Sequence, residues 1–187
     1  MLGVAAIGFG ATWFVSAGAS GAQGPQVQQP GPSSSLDRAL AGQLQCVRPN
    51  VAARTCRSLV AYARQPDGAI VSTGSVLLAE SPVIVMRTTD HATIKAGRLC
   101  AVTERKDFAA EEFTINGEPA SRGLTARLRQ VVLVAMRRYI GREICELDVP
   151  QGGSFMATNF VDGALDPGVT AESFIWVSPS DGYTVAP

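Results

Sequence analysis

Few side chains in this sequence have the types and spacing that acid–base or nucleophilic chemistry requires. The chain of 187 residues has one histidine, His91, and histidine is the side chain whose ordinary pKa suits a general base near neutral pH. We expect it in an exposed turn at residues 89–91. Ser75 and Ser154 are candidate nucleophiles, but neither lies in a G-x-S-x-G motif. A non-catalytic protein is the preferred hypothesis, and a small extracytoplasmic hydrolase that uses His91 is the alternative.

The carboxylates form no recognisable catalytic or metal-binding pattern. Glu111 and Glu112 are adjacent, so their side chains point to different sides of a strand or helix and we expect them on a solvated face. The loop at residues 162–168 carries Asp162 and Asp166, but its spacing does not fit a calcium-binding loop, and Asp-Gly and Asp-Pro-Gly are ordinary turn sequences. The sequence therefore predicts no metal site and no cofactor.

Basic and acidic residues are segregated along the chain. Residues 37–142 hold all 16 basic residues and 9 acidic ones, whereas residues 143–187 hold 7 acidic residues and no basic one. We expect the two parts to attract one another and to form surface ion pairs, each of small effect. The alternative is an anion-binding face for a polyanion or acidic headgroups. Its candidate residues are Arg127, Arg137, Arg138 and Arg142. Few aromatic residues interleave with these arginines, so nucleic acid is not an expected partner.

The four cysteines predict two disulfides. Four cysteines allow three connectivities, and we favour Cys46 with Cys56 and Cys100 with Cys145, because near neighbours in the chain meet most easily. A zinc site or a redox-active site is disfavoured, since the chain has no C-x-x-C pair and only one histidine.

The N-terminus has the form of a signal peptide. Residues 1–15 are apolar and uncharged, and the small residues that follow include Ala17-Gly18-Ala19, an A-x-A cleavage signal. We assign residues 1–22 as a signal peptide cleaved after Ala19 or Ala22. No Lys or Arg precedes the apolar run, so the alternative is a short uncleaved anchor through residues 2–22. Residues 23–36, with three prolines and no charge, are assigned as a flexible linker.

Hydrophobic periodicity predicts one long helix among short strands. Apolar residues recur at intervals of three and four over residues 124–140, which indicates an amphipathic helix ended by Gly141. Residues 50–64 fit a helix or a strand, and we favour the helix. The predicted strands are residues 70–78, 82–89, 98–103, 112–115, 144–149, 154–161 and 172–177.

Together these elements predict a single α+β domain over residues 37–187. A mainly antiparallel sheet would pack against the long amphipathic helix, with two disulfides as staples. A composition of 46% hydrophobic and 17% charged residues excludes an intrinsically disordered chain. We expect a periplasmic or secreted module of the cell envelope that binds a protein, an envelope component or a small ligand.

Overall fold

The computed structural model describes residues 34–166, 168 and 171–187. The expected signal peptide and residues 23–33 of the expected linker lie outside the described residues. The strands are β1 (Leu44–Val47), β2 (Thr55–Cys56), β3 (Ser58–Arg64), β4 (Ile70–Glu80), β5 (Val83–Lys95), β6 (Arg98–Val102), β7 (Glu112–Ile115), β8 (Glu118–Pro119), β9 (Glu143–Gln151), β10 (Ser154–Val161), β11 (Ala164–Leu165), β12 (Glu172–Val177) and β13 (Thr184–Val185).

The described helices are few and mostly short. They are α1 (Ser35–Leu40), α2 (Arg122–Met136) and two 3₁₀ turns (Arg105–Ala109 and Pro179–Asp181). Helix α1 begins inside the expected linker because Ser34 and Asp37 cap it reciprocally. The Ser34 hydroxyl accepts from the backbone N–H of Asp37, and the Asp37 carboxylate accepts from the backbone N–H of Ser34.

Eight strands close into an antiparallel barrel. Their order around the barrel is β4, β3, β1, β12, β10, β9, β6 and β5, and β5 pairs again with β4. Every one of these pairings is antiparallel. The predicted α+β fold, a sheet packed on a long helix, is therefore wrong. A closed barrel turns the apolar face of its sheet toward its own interior, so no broad sheet face is left for a helix to cover.

The long helix exists, but it covers little. In α2 only Val132 is buried, and Val131 and Val134 are 65% and 63% exposed. Val132 packs with Phe108 of the first 3₁₀ turn and with Phe113 of β7. Met86 of β5 belongs to the same cluster, so α2 packs at one side of the barrel. The amphipathic pattern therefore predicted the helix correctly but not its position, because α2 does not lie across the face of an open sheet.

Residues 50–64 form strands, so the favoured helix is wrong there. The backbone of β3 pairs with β1 on one side and with β4 on the other. Pairing on both sides satisfies the backbone N–H and C=O groups in an extended conformation and overrides the weak helical spacing of the apolar residues.

The two expected disulfides are confirmed. Cys46–Cys56 connects β1 to β2, and Cys100–Cys145 connects the paired strands β6 and β9. Structural disulfides form and persist in oxidising environments, so the two bonds indicate a compartment outside the reducing cytosol. Among the described residues, no helix has the length and apolar character needed to span a bilayer.

Candidate functional site

The interior of the barrel contains a cavity of about 1030 Å³. An eight-stranded barrel is just wide enough either to be filled by its own side chains or to hold one small ligand. Here small side chains face inward from several strands and leave the space open. They are Ser58, Ser72, Gly74, Ala101 and Ala157. The same strands supply apolar walls through Val60, Val76 and Ile144.

Helix α1 lies against inward-facing residues at one end of the barrel. The Ser35 hydroxyl donates a hydrogen bond to Asp148 Oδ2 and accepts one of 3.0 Å from Trp176 Nε1. Because Asp148 belongs to β9 and Trp176 to β12, this one side chain attaches α1 to two barrel strands. Two further apolar residues line the cavity, Phe108 of the first 3₁₀ turn and Val132 of α2.

A buried chain of hydrogen bonds crosses the interior from β3 to β9. The Tyr62 hydroxyl donates to Gln45 Oε1 at 2.5 Å, and Gln45 Nε2 donates to Glu146 Oε1 at 3.0 Å. Burial, and next the charge of Asp148, raise the pKa of Glu146 to about 7.

Glu111 is the most unusual polar residue that lines the cavity. Its backbone is fixed by Arg129 of α2, whose Nε and Nη2 donate to the Glu111 carbonyl oxygen at 3.2 and 2.7 Å. The residue is only 4% exposed, and no donor among the described residues reaches its Oε2. Burial, and next the charge of Asp90, raise the pKa of Glu111 to about 7, against the opposing charge of Arg129. The expectation of a solvated face fits the exposed Glu112 and is wrong for Glu111.

Carboxylates dominate the charge of the cavity lining. Asp90 faces inward on β5 and accepts a hydrogen bond of 3.1 Å from the Thr88 hydroxyl, and its burial raises its pKa. The acidic lining residues are Asp90, Glu104, Asp107, Glu111, Glu146 and Glu172. The basic residues that border the cavity in the described part of the chain are Lys106, whose ammonium is paired with Glu104, and His91, whose side chain is exposed.

The structure places His91 within strand β5 and not in a turn. It lies opposite Val71 of β4 and is exposed, since its neighbours Asp90 and Ala92 are the residues of that strand that face inward. The candidate nucleophile Ser75 lies on the same strand as Val71, four residues further along β4. Ser75 is therefore about 13 Å along the strand from the position opposite His91. No hydrogen bond among the described residues joins His91 to a serine or to a carboxylate.

Two of the four arginine candidates form ion pairs with carboxylates. Arg142 Nε lies 2.7 Å from Asp162 Oδ2, and Arg138 Nη2 lies 4.0 Å from Asp166 Oδ2. Arg127 and Arg137 are exposed and form no ion pair with the described residues. Arg48–Glu172 and Lys95–Glu143 are further pairs between the basic and the acidic parts of the chain. Attraction between the two parts, expected from the charge pattern, is therefore present at the surface.

The inward-facing polar residues Gln45, Tyr62, Asp90 and Glu146 were not predicted from the sequence as part of a site. Residues 87–91 read Arg-Thr-Thr-Asp-His, so this part of β5 has polar side chains on both faces. A strand with two polar faces cannot border an ordinary apolar core, and this pattern was the available signal for polar groups inside the barrel.

Comparisons with protein-family models, with curated proteins and with solved structures found no match for this chain. The chemistry of the cavity is therefore the basis on which a function can be inferred.

Proposed function

We propose that this domain is a non-catalytic binding module that holds a small ligand inside its barrel, as a periplasmic or secreted protein. The cavity of about 1030 Å³ is the observation that carries the proposal. Sites for small ligands are concave and largely apolar, with a few polar groups that orient the ligand, and this interior has that composition. A barrel with only a structural role would gain stability by filling such a space with larger side chains.

Binding is favoured over hydrolysis by the position of His91. A general base must lie within hydrogen-bond reach of the proton that it removes. His91 borders the cavity, but its side chain is exposed and alternates outward on β5, between the inward-facing Asp90 and Ala92. We therefore expect His91→Ala to leave ligand binding unchanged.

The proposal is tested by blocking the cavity from one strand. Ser72 lines the cavity, and the next residue of β4, Thr73, is exposed on the outer face, so Ser72→Trp and Thr73→Trp are a matched pair. The probe is N-phenyl-1-naphthylamine, an uncharged dye that fluoresces in apolar surroundings. We expect saturable binding to the wild type and to Thr73→Trp. In Ser72→Trp we expect binding about tenfold weaker, since the indole occupies the probe's space.

Thermal melts of the two variants establish that both are folded before binding is compared. Equal affinity of the two folded variants for the dye, or no saturable binding by the wild type, would contradict a ligand site inside the barrel.

A further inference from the structure

We propose that the ligand is an amphiphilic organic cation, whose positive group lies beside Glu111 and Asp90 and whose apolar part occupies the rest of the cavity. This inference rests on the proposed function and assigns a chemical class to the ligand. It follows from an unpartnered buried carboxylate, from the charge of the lining, and from the size and apolar walls of the cavity.

The carboxylate of Glu111 lacks a hydrogen-bond donor. Its Oε2 has no partner among the described residues, although the residue is 4% exposed and lines the cavity. A buried acceptor without a donor is costly, so a donor group on a ligand would relieve that cost. Arg129 does not supply the donor, because its guanidinium is directed at the Glu111 carbonyl oxygen.

The charge of the lining favours a cation over an anion. Six carboxylates line the cavity, and among the described residues two of them form ion pairs, Glu104 with Lys106 and Glu172 with Arg48. The other four, Asp90, Asp107, Glu111 and Glu146, have no ion-pair partner there, and the remaining basic residue at the cavity, His91, is exposed. Asp90 and Asp107 lie close enough to Glu111 to affect its ionisation, so the carboxylates repel one another when they are charged. A positive group among them replaces repulsion with attraction in a site partly removed from water.

The spacing of the carboxylates favours an organic cation over a metal ion. Among the described residues, the single group of three ligating side chains within 4.8 Å of one another is Cys100, Glu143 and Cys145, and those two sulfurs form a disulfide. No three carboxylates of the cavity approach so closely. A hard cation needs several oxygen ligands at short range, whereas an ammonium group needs only a few acceptors around it.

The apolar walls and the volume indicate that the cation carries a hydrocarbon portion. A bare ammonium ion would leave most of the 1030 Å³ unoccupied. Val60, Val76, Phe108 and Val132 line the same space, and burial of an alkyl or aromatic group against them contributes roughly 25 cal/mol per Å² of apolar surface.

Proton linkage follows from the surroundings of Glu111. The groups that act on it are Asp90 of β5, Asp107 of the first 3₁₀ turn and Arg129 of α2, and its pKa is about 7. A cation beside Glu111 favours the charged carboxylate and lowers that pKa. The cation therefore binds more tightly at pH 8, where the carboxylate is already ionised, than at pH 6, where a proton must first leave.

The test is competition against N-phenyl-1-naphthylamine by three compounds of equal chain length. Decylamine is cationic, decanol is neutral and decanoate is anionic between pH 6 and pH 8. At pH 7.5 we expect decylamine to displace the dye at a concentration about tenfold lower than decanol, and decanoate to be the weakest. Between pH 6 and pH 8 the affinity for decylamine should rise about fivefold or more, with no comparable rise for decanol.

Glu111→Gln removes the charge while keeping the shape of the side chain, and Glu112→Gln is the matched control at the exposed neighbour. We expect Glu111→Gln to weaken decylamine about tenfold and to leave decanol unchanged, and Glu112→Gln to alter neither. Asp90→Asn is a second variant, at a different position of the same site, and should also weaken decylamine selectively.

The outcomes separate this inference from the function on which it rests. If decanol or decanoate displaces the dye as well as decylamine does, or if Glu111→Gln and Asp90→Asn both leave decylamine unaffected, the barrel binds ligands but the cationic class is wrong. If the dye does not bind inside the barrel, the proposed function fails and the inference fails with it.

Discussion

Glu111 shows how a single residue departs from its sequence context. The adjacency of Glu111 and Glu112 indicated that they face different sides, but not which of them would face the cavity. That choice depends on the path of the chain between the first 3₁₀ turn and β7 and on the Arg129 hydrogen bonds to the Glu111 carbonyl. The disulfide pairs were predictable because nearness in the chain restricts which cysteines meet. Burial of one of two adjacent glutamates is set by tertiary contacts and was not predictable.

Glu111 should make the protein less stable as pH rises. Its pKa in the folded protein is about 7, above the ordinary value of 4.5, so the folded state binds more protons than the unfolded state between these values. The contribution of Glu111 to stability is therefore fully present below about pH 4.5 and is lost as pH rises through about 7. After allowance for screening by water in the cavity, we expect Glu111→Gln to be more stable than the wild type at pH 8 by about 1 to 2 kcal/mol.

Urea denaturation at pH 5 and pH 8 measures this difference, and Glu112→Gln serves as the control. A gain of the same size for Glu111→Gln at both pH values would show that the ionisation of Glu111 does not affect folding.

At the scale of elements, hydrophobic periodicity predicted which segments are regular but not what they contact. The helix expected at residues 124–140 is α2 (Arg122–Met136), yet its apolar face is mostly only partly buried, and Val131 on that face is 65% exposed. Residues 50–64 had a pattern common to helix and strand, and pairing with β1 and β4 decided in favour of the strand. Periodicity reports the geometry of one segment, whereas its partners depend on segments far away in the chain.

Two adjacent serines at the start of helix α1 have different roles. Ser34 caps the helix, whereas the hydroxyl of the buried Ser35 bonds to Asp148 and Trp176. Ser34→Ala should cost about 0.5 to 1 kcal/mol through loss of the cap. Ser35→Ala removes the hydrogen-bond partner of the Trp176 indole and one of the partners of Asp148, both partly buried, and should cost more, about 2 to 3 kcal/mol. Equal losses in thermal unfolding would mean that α1 is not anchored to the barrel through Ser35.

At the scale of the whole molecule, closure of the barrel was the feature that the sequence analysis missed. Closure requires β1 near the beginning of the domain to pair with β12 near its end, with Leu44 opposite Val177. Alternating patterns identify strands, but they do not specify distant partners, so an open sheet and a closed barrel give similar local signals. The polar residues on both faces of β5 distinguish a closed barrel from an open sheet here. The inward-facing ones, Thr88 and Asp90, line the cavity.

The disulfides should contribute unequally to the stability of the whole domain. Cys46–Cys56 spans 10 positions of the chain and Cys100–Cys145 spans 45. Loop entropy predicts stabilisation of about 2.8 kcal/mol for the first and about 4 kcal/mol for the second. We therefore expect the double replacement of Cys100 and Cys145 by alanine to lower the free energy of unfolding more than the same change at Cys46 and Cys56. No loss in either variant, measured by urea denaturation, would contradict a stabilising role for these bonds.

A ligand site inside the barrel is tested most directly by NMR of methyl-labelled protein with bound N-phenyl-1-naphthylamine. Inward-facing and outward-facing methyl groups lie on the same strands, which provides an internal control. The account predicts intermolecular nuclear Overhauser effects from the dye to Val60, Val76 and Ile144, which line the cavity. Contacts only to outward-facing methyl groups, such as those of Val71, Val85 and Val149, would contradict it.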